Sequence, residues 1–206
     1  MQIIKLKSAT RIPRRVLNLI VNILKAGGVI AFPTETTYGL GCDPRNKKAV
    51  ARIYKIKGRE RGKPLPLVAT SVEQVKKIVD FGVGARFPRP GAMTAPLRKL
   101  MKHYWPGPLT LVLGRMAIRV SSHPLVRQMA RAFGFPIIAT SANKSGQPEC
   151  RSGRAVARIF STQKNAPDLL IDAGALRHRK SSTIARVRHD GSAEILRQGA
   201  IRLKAD

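Results

Sequence analysis

The chain reads as an α/β protein that ends in an added β-hairpin, on three observations. Short apolar runs alternate with amphipathic helical stretches for most of the length. Gly and Pro punctuate nearly every boundary between them. One apolar run, Ile137–Gly146 (IIATSANKSG), stops abruptly at small polar residues, as a buried strand does when it reaches the ligand-binding rim of an α/β sheet. A polar turn after a core strand has the same chemistry. At 206 residues and 43% hydrophobic content the chain can build one sizeable core, and we expect a single domain over residues 1–206.

Taken in order, Ile3–Leu6 can form a first strand, and Pro13 opens a helix whose face carries Val16, Leu17, Ile20, Ile23 and Leu24. Gly27 and Gly28 end that helix and Val29–Phe32 is a buried strand. Pro33–Gly41 (PTETTYGLG) reads as a polar loop whose two glycines let backbone approach a ligand. A second helix spans Lys47–Lys57 and stops at Gly58. The basic connection KGRERGKP leads into a strand over Leu65–Ala69; it suits a solvated turn, and equally a set of cations converging on a triphosphate. Ser71 and Gln74 fit a capping box for a helix over Val72–Val79, and Phe81–Met93 reads as an irregular excursion. Thr94 caps a helix bearing Leu97, Leu100, Met101 and Tyr104. WPGP then turns into the strand Leu109–Leu113, tightly linked to Ala117–Val120. Within that last strand Arg119 faces either water at an edge or a ligand carboxylate. Pro124–Phe133 is helical and feeds Ile137–Gly146; a short helix near Arg154–Phe160, the strand Leu169–Asp172 and the basic loop Arg177–Lys180 follow. Ile184–Val187 and Glu194–Arg197 close the chain as a hairpin about Asp190-Gly191.

Composition narrows the partners. Lys and Arg number 39 against 11 Asp and Glu, a formal charge of +28, so nucleic acid, nucleotides or an anionic surface are the natural partners, unless the excess only solubilises the surface. The cations are spread along the chain, unlike a nucleic-acid-binding arm. No apolar run approaches a bilayer span and no signal-peptide pattern opens the chain, so a cytoplasmic location without membrane contact is expected, with Cys42 and Cys150 as free thiols. No two acidic residues stand at metal-binding spacing and the four histidines are scattered, so no protein-held metal is expected. Neither GxxxxGK[ST] nor GxSxG occurs. A site of cations, hydroxyls and backbone N–H groups is left, suited to phosphoryl or nucleotidyl transfer by positioning and charge stabilisation.

The ordered stretches FPTETTYGLG, KIKGRERGKPLPL, WPGPLTLVL, AIRV, HPL, TSANKSG, SST and ILRQGA together resemble the threonylcarbamoyl-AMP synthase family, the YrdC-like domain. That resemblance implies an open twisted mixed sheet flanked by helices, with a deep basic cleft. It implies synthesis of L-threonylcarbamoyladenylate and pyrophosphate from L-threonine, bicarbonate and ATP, with Mg2+ carried mainly by the ATP phosphates, as the first step of tRNA N6-threonylcarbamoyladenosine modification. The family's Lys-x-Arg and Ser-x-Asn tetrad falls on Lys57, Arg59, Ser141 and Asn143 as the catalytic set; with Lys63 and Arg197 these are also the expected ATP contacts. Arg119 would clamp the threonine carboxylate, with Thr36, Ala139, Thr140 and Ser182 around the amino acid. Downstream partners would be the threonylcarbamoyl-transfer machinery, and tRNA or other RNA is a further candidate. Three features depart from the family pattern: the short Gly114-Arg115-Met116 link, Val68 where some relatives carry histidine, and a chain ending soon after ILRQGA, like the short form without an extra C-terminal domain. Two other readings are an RNA-binding or ribosome-maturation protein using the basic cleft, and a carbamoyl-adenylate-forming domain of hydrogenase-maturation type.

Overall fold

The computed structural model describes residues 1–6, 11–75, 94–188 and 192–203. Eleven strands and five helices are assigned among them: β1 (Gln2–Lys5), α1 (Arg14–Lys25), β2 (Ile30–Pro33), β3 (Tyr38–Gly41), α2 (Lys47–Lys57), β4 (Leu67–Ala69), α3 (Ala95–Tyr104), β5 (Leu109–Leu113), β6 (Met116–Val120), α4 (Pro124–Phe133), β7 (Ile137–Ile138), β8 (Thr140–Ser141), α5 (Gly153–Phe160), β9 (Leu169–Asp172), β10 (Thr183–Val187) and β11 (Ala193–Arg197). The mixed α/β class holds, but the strands divide between two sheets, in the orders β1-β9-β2-β3-β8 and β11-β10-β5-β6-β4-β7. Each mixes parallel and antiparallel pairs, the closing hairpin β10–β11 being antiparallel.

One short run joins the sheets. β7 pairs with β4 (Leu67↔Ile138) and β8, one residue later, pairs with β3 (Leu40↔Thr140). At the crossing Ile138 N–H donates to the Cys42 carbonyl (3.0 Å) and Ala139 N–H to the Pro66 carbonyl (2.9 Å). The backbone donors of consecutive residues are thus satisfied from opposite sheets. Helix α4 reinforces the junction, packing on α1, β2 and β4. Its buried face, Leu125, Val126, Met129, Ala130 and Phe133, has the spacing of one helical stripe. A single hydrophobic core cluster runs from Ile20 and Phe32 through Leu111 and Ile118 to Phe160 and Leu170.

Some expectations shift. Most of PTETTYGLG is ordered β-structure: Thr34 accepts the N–H groups of Thr36 and Thr37 at its hydroxyl and donates to the Thr37 carbonyl (2.7 Å), closing a tight turn between β2 and β3. Tyr38–Gly41 reads as loop because glycines interrupt it, yet those glycines admit the neighbouring strand. A Cβ on Gly41 would lie 2.4 Å from the Ile138 carbonyl and 2.7 Å from Phe32 Cε1. β4 begins at Leu67, since Pro64 and Pro66 have no N–H for a ladder. Arg119 is not at an edge: β6 lies between β5 and β4, and the residue is 7% exposed. Ser71 caps a helical turn beginning at Val72 (Gln74 N–H to Ser71 Oγ, 3.2 Å), while Gln74 Oε1 accepts from Thr70 N–H instead of Ser71 N–H. The rest of that expected helix, the 81–93 excursion and the 190–191 turn lie outside the described residues.

Replacing Gly41 by Ala should lower stability by about 1–3 kcal/mol, the usual scale for overpacking. Gly62→Ala, with nothing within 4 Å of its added Cβ, should change it by no more than about 0.5 kcal/mol. Urea midpoints of the two variants check this; equal losses would refute the close-approach account.

Candidate active site

A cavity of about 370 Å³ opens where the two sheets meet. Its lining includes Thr36 from the β2–β3 turn, Arg59 and Lys63 from the loop after α2, and Thr140 and Ser141 from β8. Arg119 on β6, Thr110 on β5, Ser182 before β10 and Arg197 on β11 face it from the second sheet. Of the residues singled out in the sequence, Thr36, Arg59, Lys63, Arg119, Ala139, Thr140, Ser141, Ser182 and Arg197 line this one cavity. Lys57 and Asn143 do not; they stand behind its wall.

Lys57 is the last residue of α2, and Gly58 in the left-handed region (φ 59°) ends the helix there. The residue is only 2% exposed. It donates to the Ser141 carbonyl (2.5 Å), the Asn143 carbonyl (3.0 Å) and Asn143 Oδ1 (2.9 Å), one acceptor for each of its three hydrogens. Ser141 Oγ also donates to Asn143 Oδ1 (2.7 Å), and the Asn143 amide donates to the Gln147 carbonyl. The end of α2 is capped in return: Lys144 Nζ donates to the Ile56 carbonyl (2.7 Å) and Ser145 N–H to the Lys57 carbonyl (2.8 Å). Burial, with Arg59 nearby as a smaller cause, lowers the Lys57 pKa from 10.5 to about 8.

The loop cations fold on their own backbone. Arg59 donates Nε to the Lys63 carbonyl (3.3 Å) and Nη2 to that of Pro64 (3.2 Å), and Lys63 pairs with Glu60 at 3.1 Å. A guanidinium has five N–H donors, so these bonds orient Arg59 and leave others for an anion. On the far side Arg197 donates to the Ser182 carbonyl (2.8 and 3.2 Å) and reaches Ser182 Oγ (3.3 Å), which lies 3.1 Å from Thr110 Oγ1. Arg119 pairs with Glu35 at 3.6 Å, and both side chains are more than nine-tenths buried. Ser121 Oγ donates to Glu35 Oε2 (2.8 Å).

Sequence reading passed over Glu35, Thr110, Ser121, Glu149 and Ser181. Glu35, Thr110 and Ser181 lie within the stretches FPTETTYGLG, WPGPLTLVL and SST that carry the family resemblance, but nothing in those stretches sets them apart; Ser121 and Glu149 have no such signal. His123 opens the HPL stretch of the resemblance; its Nδ1 is buried without a hydrogen-bond partner among the described residues, and burial lowers its pKa. Among the described residues no group of three or more His, Cys, Asp or Glu side chains could hold a metal ion. Among the described residues Glu149 is the one carboxylate of the cavity lining, and its Oε2 accepts from Ser181 Oγ (2.7 Å). The combination suits an anionic, phosphate-bearing ligand together with a carboxylate.

The family model Sua5/YciO/YrdC, described as "Telomere recombination", matches residues 22–199. The chain belongs to the Sua5/YciO/YrdC family. Among curated relatives, a threonylcarbamoyl-AMP synthase of Psychromonas ingrahamii is 38% identical over 171 residues, 76% of this chain and 84% of the relative. One from Aliivibrio fischeri is 36% identical over 197 residues, 89% of this chain and 98% of the relative. The crystal structure of P. abyssi Sua5 complexed with L-threonine superposes with a TM-score of 0.78 at 31% identity. That match covers 97% of this chain and 58% of the P. abyssi chain, so this Sua5/YciO/YrdC member spans little more than half of it.

In this family member the burial of Lys57 makes stability depend on pH. The unfolded chain, with Lys57 near 10.5, binds more protons than the folded chain between about pH 8 and 10.5, so stability due to this residue rises with pH across that window. Below it the cost of burying the charge is fully present. Urea unfolding of wild type and Lys57→Met at about pH 7 and about pH 10 should show the difference moving in favour of the wild type at the higher pH. A difference independent of pH would count against the buried ammonium.

Proposed function

We propose that this chain is a threonylcarbamoyl-AMP synthase: L-threonine, bicarbonate and ATP give L-threonylcarbamoyladenylate and pyrophosphate. The observation that carries the reading is the division of cations within one cavity. Arg119 and Arg197 stand on β6 and β11, three strand spacings apart, roughly 14 Å at the backbone. That separation suits a carboxylate subsite at one end and a triphosphate at the other. The threonine-bound P. abyssi neighbour and the synthases among the relatives support the amino-acid substrate and the reaction.

The residues then divide the work. Arg119 receives the threonine carboxylate, while the hydroxyls of Thr36 and Ser182 and the backbone of Ala139 and Thr140 orient the amino acid. Its amine and bicarbonate yield a carbamate with loss of water. A carbamate oxygen attacks the α-phosphorus, the bond from that phosphorus to the bridging oxygen breaks, and pyrophosphate leaves with the electron pair. Negative charge shifts onto phosphate oxygens, so Arg59, Lys63 and Arg197 supply the stabilisation by fixed geometry. Lys57 acts one step back, holding Ser141 and Asn143 in place for the nucleotide. Magnesium arrives as part of the ATP complex. The described lining offers hydroxyls and Glu149 alone, a donor set that fits a water-rich, phosphate-borne ion.

The adenylate feeds N6-threonylcarbamoyladenosine formation in tRNA, so a threonylcarbamoyl-transferring enzyme must consume it. No helix among the described residues is long and apolar enough to cross a membrane, and both cysteines are free and buried, in keeping with a cytoplasmic setting. The +28 charge would also serve contact with tRNA.

Nucleotide product analysis tests the reading directly: pyrophosphate release from ATP should require both threonine and bicarbonate. Release with carbamoyl phosphate instead would point to hydrogenase-maturation chemistry. RNA binding at physiological salt without turnover would point to the RNA-binding alternative. Arg59→Ala should weaken ATP binding by about 1.5–3 kcal/mol, while Arg119→Ala should chiefly raise the threonine KM. Equal effects of both changes on both substrates would refute the division of roles.

A further inference from the structure

Glu35 has no part in the chemistry above, yet it is the best-buried carboxylate at the site. Its side chain is 6% exposed, it lies 3.6 Å from the 8%-exposed Arg119 side chain, and its Oε1 has no hydrogen-bond partner among the described residues. The other oxygen is fixed by Ser121 Oγ (2.8 Å), whose own oxygen accepts the N–H of His123 (3.1 Å). Residue 35 sits in the turn that Thr34 locks, next to Thr36 in the wall of the main cavity. On its other side Glu35 lines a second cavity of about 320 Å³, with Thr36, Ser122, Arg179 and Lys180. Those two cations are exposed and screened by water, and burial lowers the His123 pKa, so among the described residues Arg119 is the buried cation that pairs with Glu35.

Charge balance gives this arrangement a selective effect. A buried guanidinium without a counter-ion is costly, and it would take whatever anion neutralised it. With Glu35 beside it, Arg119 forms a locally neutral pair. At the binding step, before the amine is carboxylated, a zwitterionic amino acid leaves that pair neutral, because its ammonium cancels its carboxylate. A carboxylate lacking the amine leaves one net negative charge in a poorly solvated site. We propose that Glu35 is a positioning and specificity-determining residue: by orienting and neutralising Arg119 it makes the site select a zwitterionic α-amino acid over a plain hydroxy-carboxylate of the same shape. The inference rests on the assignment of Arg119 to the threonine carboxylate.

The test compares wild type with Glu35→Gln, which keeps the shape and removes the charge, using threonine as substrate and 3-hydroxybutyrate as the matching ligand without the amine. In the variant the threonine KM should rise about tenfold, the order of a coupling lost within one ion-pair network. Inhibition by 3-hydroxybutyrate should hold or tighten, and the ATP KM should stay within about twofold. Parallel weakening of threonine and 3-hydroxybutyrate would mean a merely structural residue and overturn the proposal, as would an unchanged ratio between them. Should the variant not fold, the wild type still tests the proposal: 3-hydroxybutyrate should compete at least about tenfold more weakly than threonine binds, and competition as tight as threonine binding would overturn it. Calorimetric binding of threonine without ATP separates the two levels. Wild type binding threonine without turnover would sink the synthase reading alone; no selective loss in Glu35→Gln would sink this inference alone.

Discussion

The cavity depends on a charge that never reaches it. Lys57 brings a positive charge to the end of α2, where burial would be prohibitive without partners, and the 141–143 backbone and Asn143 side chain supply all three acceptors. The exchange works in both directions. Lys57 is kept by the loop, and a loop rich in small polar residues, with many alternative conformations of its own, is kept in one of them by Lys57. Gly58 then turns the chain outward, so Arg59 and Lys63 emerge at the cavity within a few residues of the buried anchor. A basic sequence thus uses one cation for architecture and turns the next ones toward the cavity.

Much of this was legible before any coordinates. Helix α2 spans Lys47–Lys57 as its apolar stripe and following glycine indicate, and β5, α4 and β9 match the hydrophobic runs that announce them. Most of the expected site residues do meet in one cavity, because the motifs that carry them stand at strand ends and turns on its rim. The misreadings have physical causes. Tyr38–Gly41 hides as a loop because strand propensity counts glycine against it, although close approach of the 138–140 backbone favours a residue without a side chain. The division into two sheets was invisible because the switch between them occurs at Ala139, a residue with no local signal.

Arg119 shows the limit most clearly. From sequence it could be solvated or aimed at a ligand; the sheet order removes the first option by placing β6 in the interior. Its partner Glu35, distant in the chain, could be found only once the fold brought the β2–β3 turn against the end of β6. Long-range pairing of this kind leaves no periodicity to read. The same holds for Thr110 and Ser182, joined across 72 positions of sequence.

The crossing at residues 137–141 has an energetic corollary. Two sheets that share one core are stitched along one rim by two short strands and the Cys42 and Pro66 carbonyl contacts, and the cavity lies along that seam. A ligand that touches Thr140 and Ser141 on one side and Arg119 or Ser182 on the other adds contacts across the same seam. Substrate then acts as extra thread, and by linkage its binding free energy appears as resistance of the sheet junction to opening. The junction and the substrate are coupled in the same thermodynamic account: whatever loosens the seam weakens binding, and occupancy closes it again.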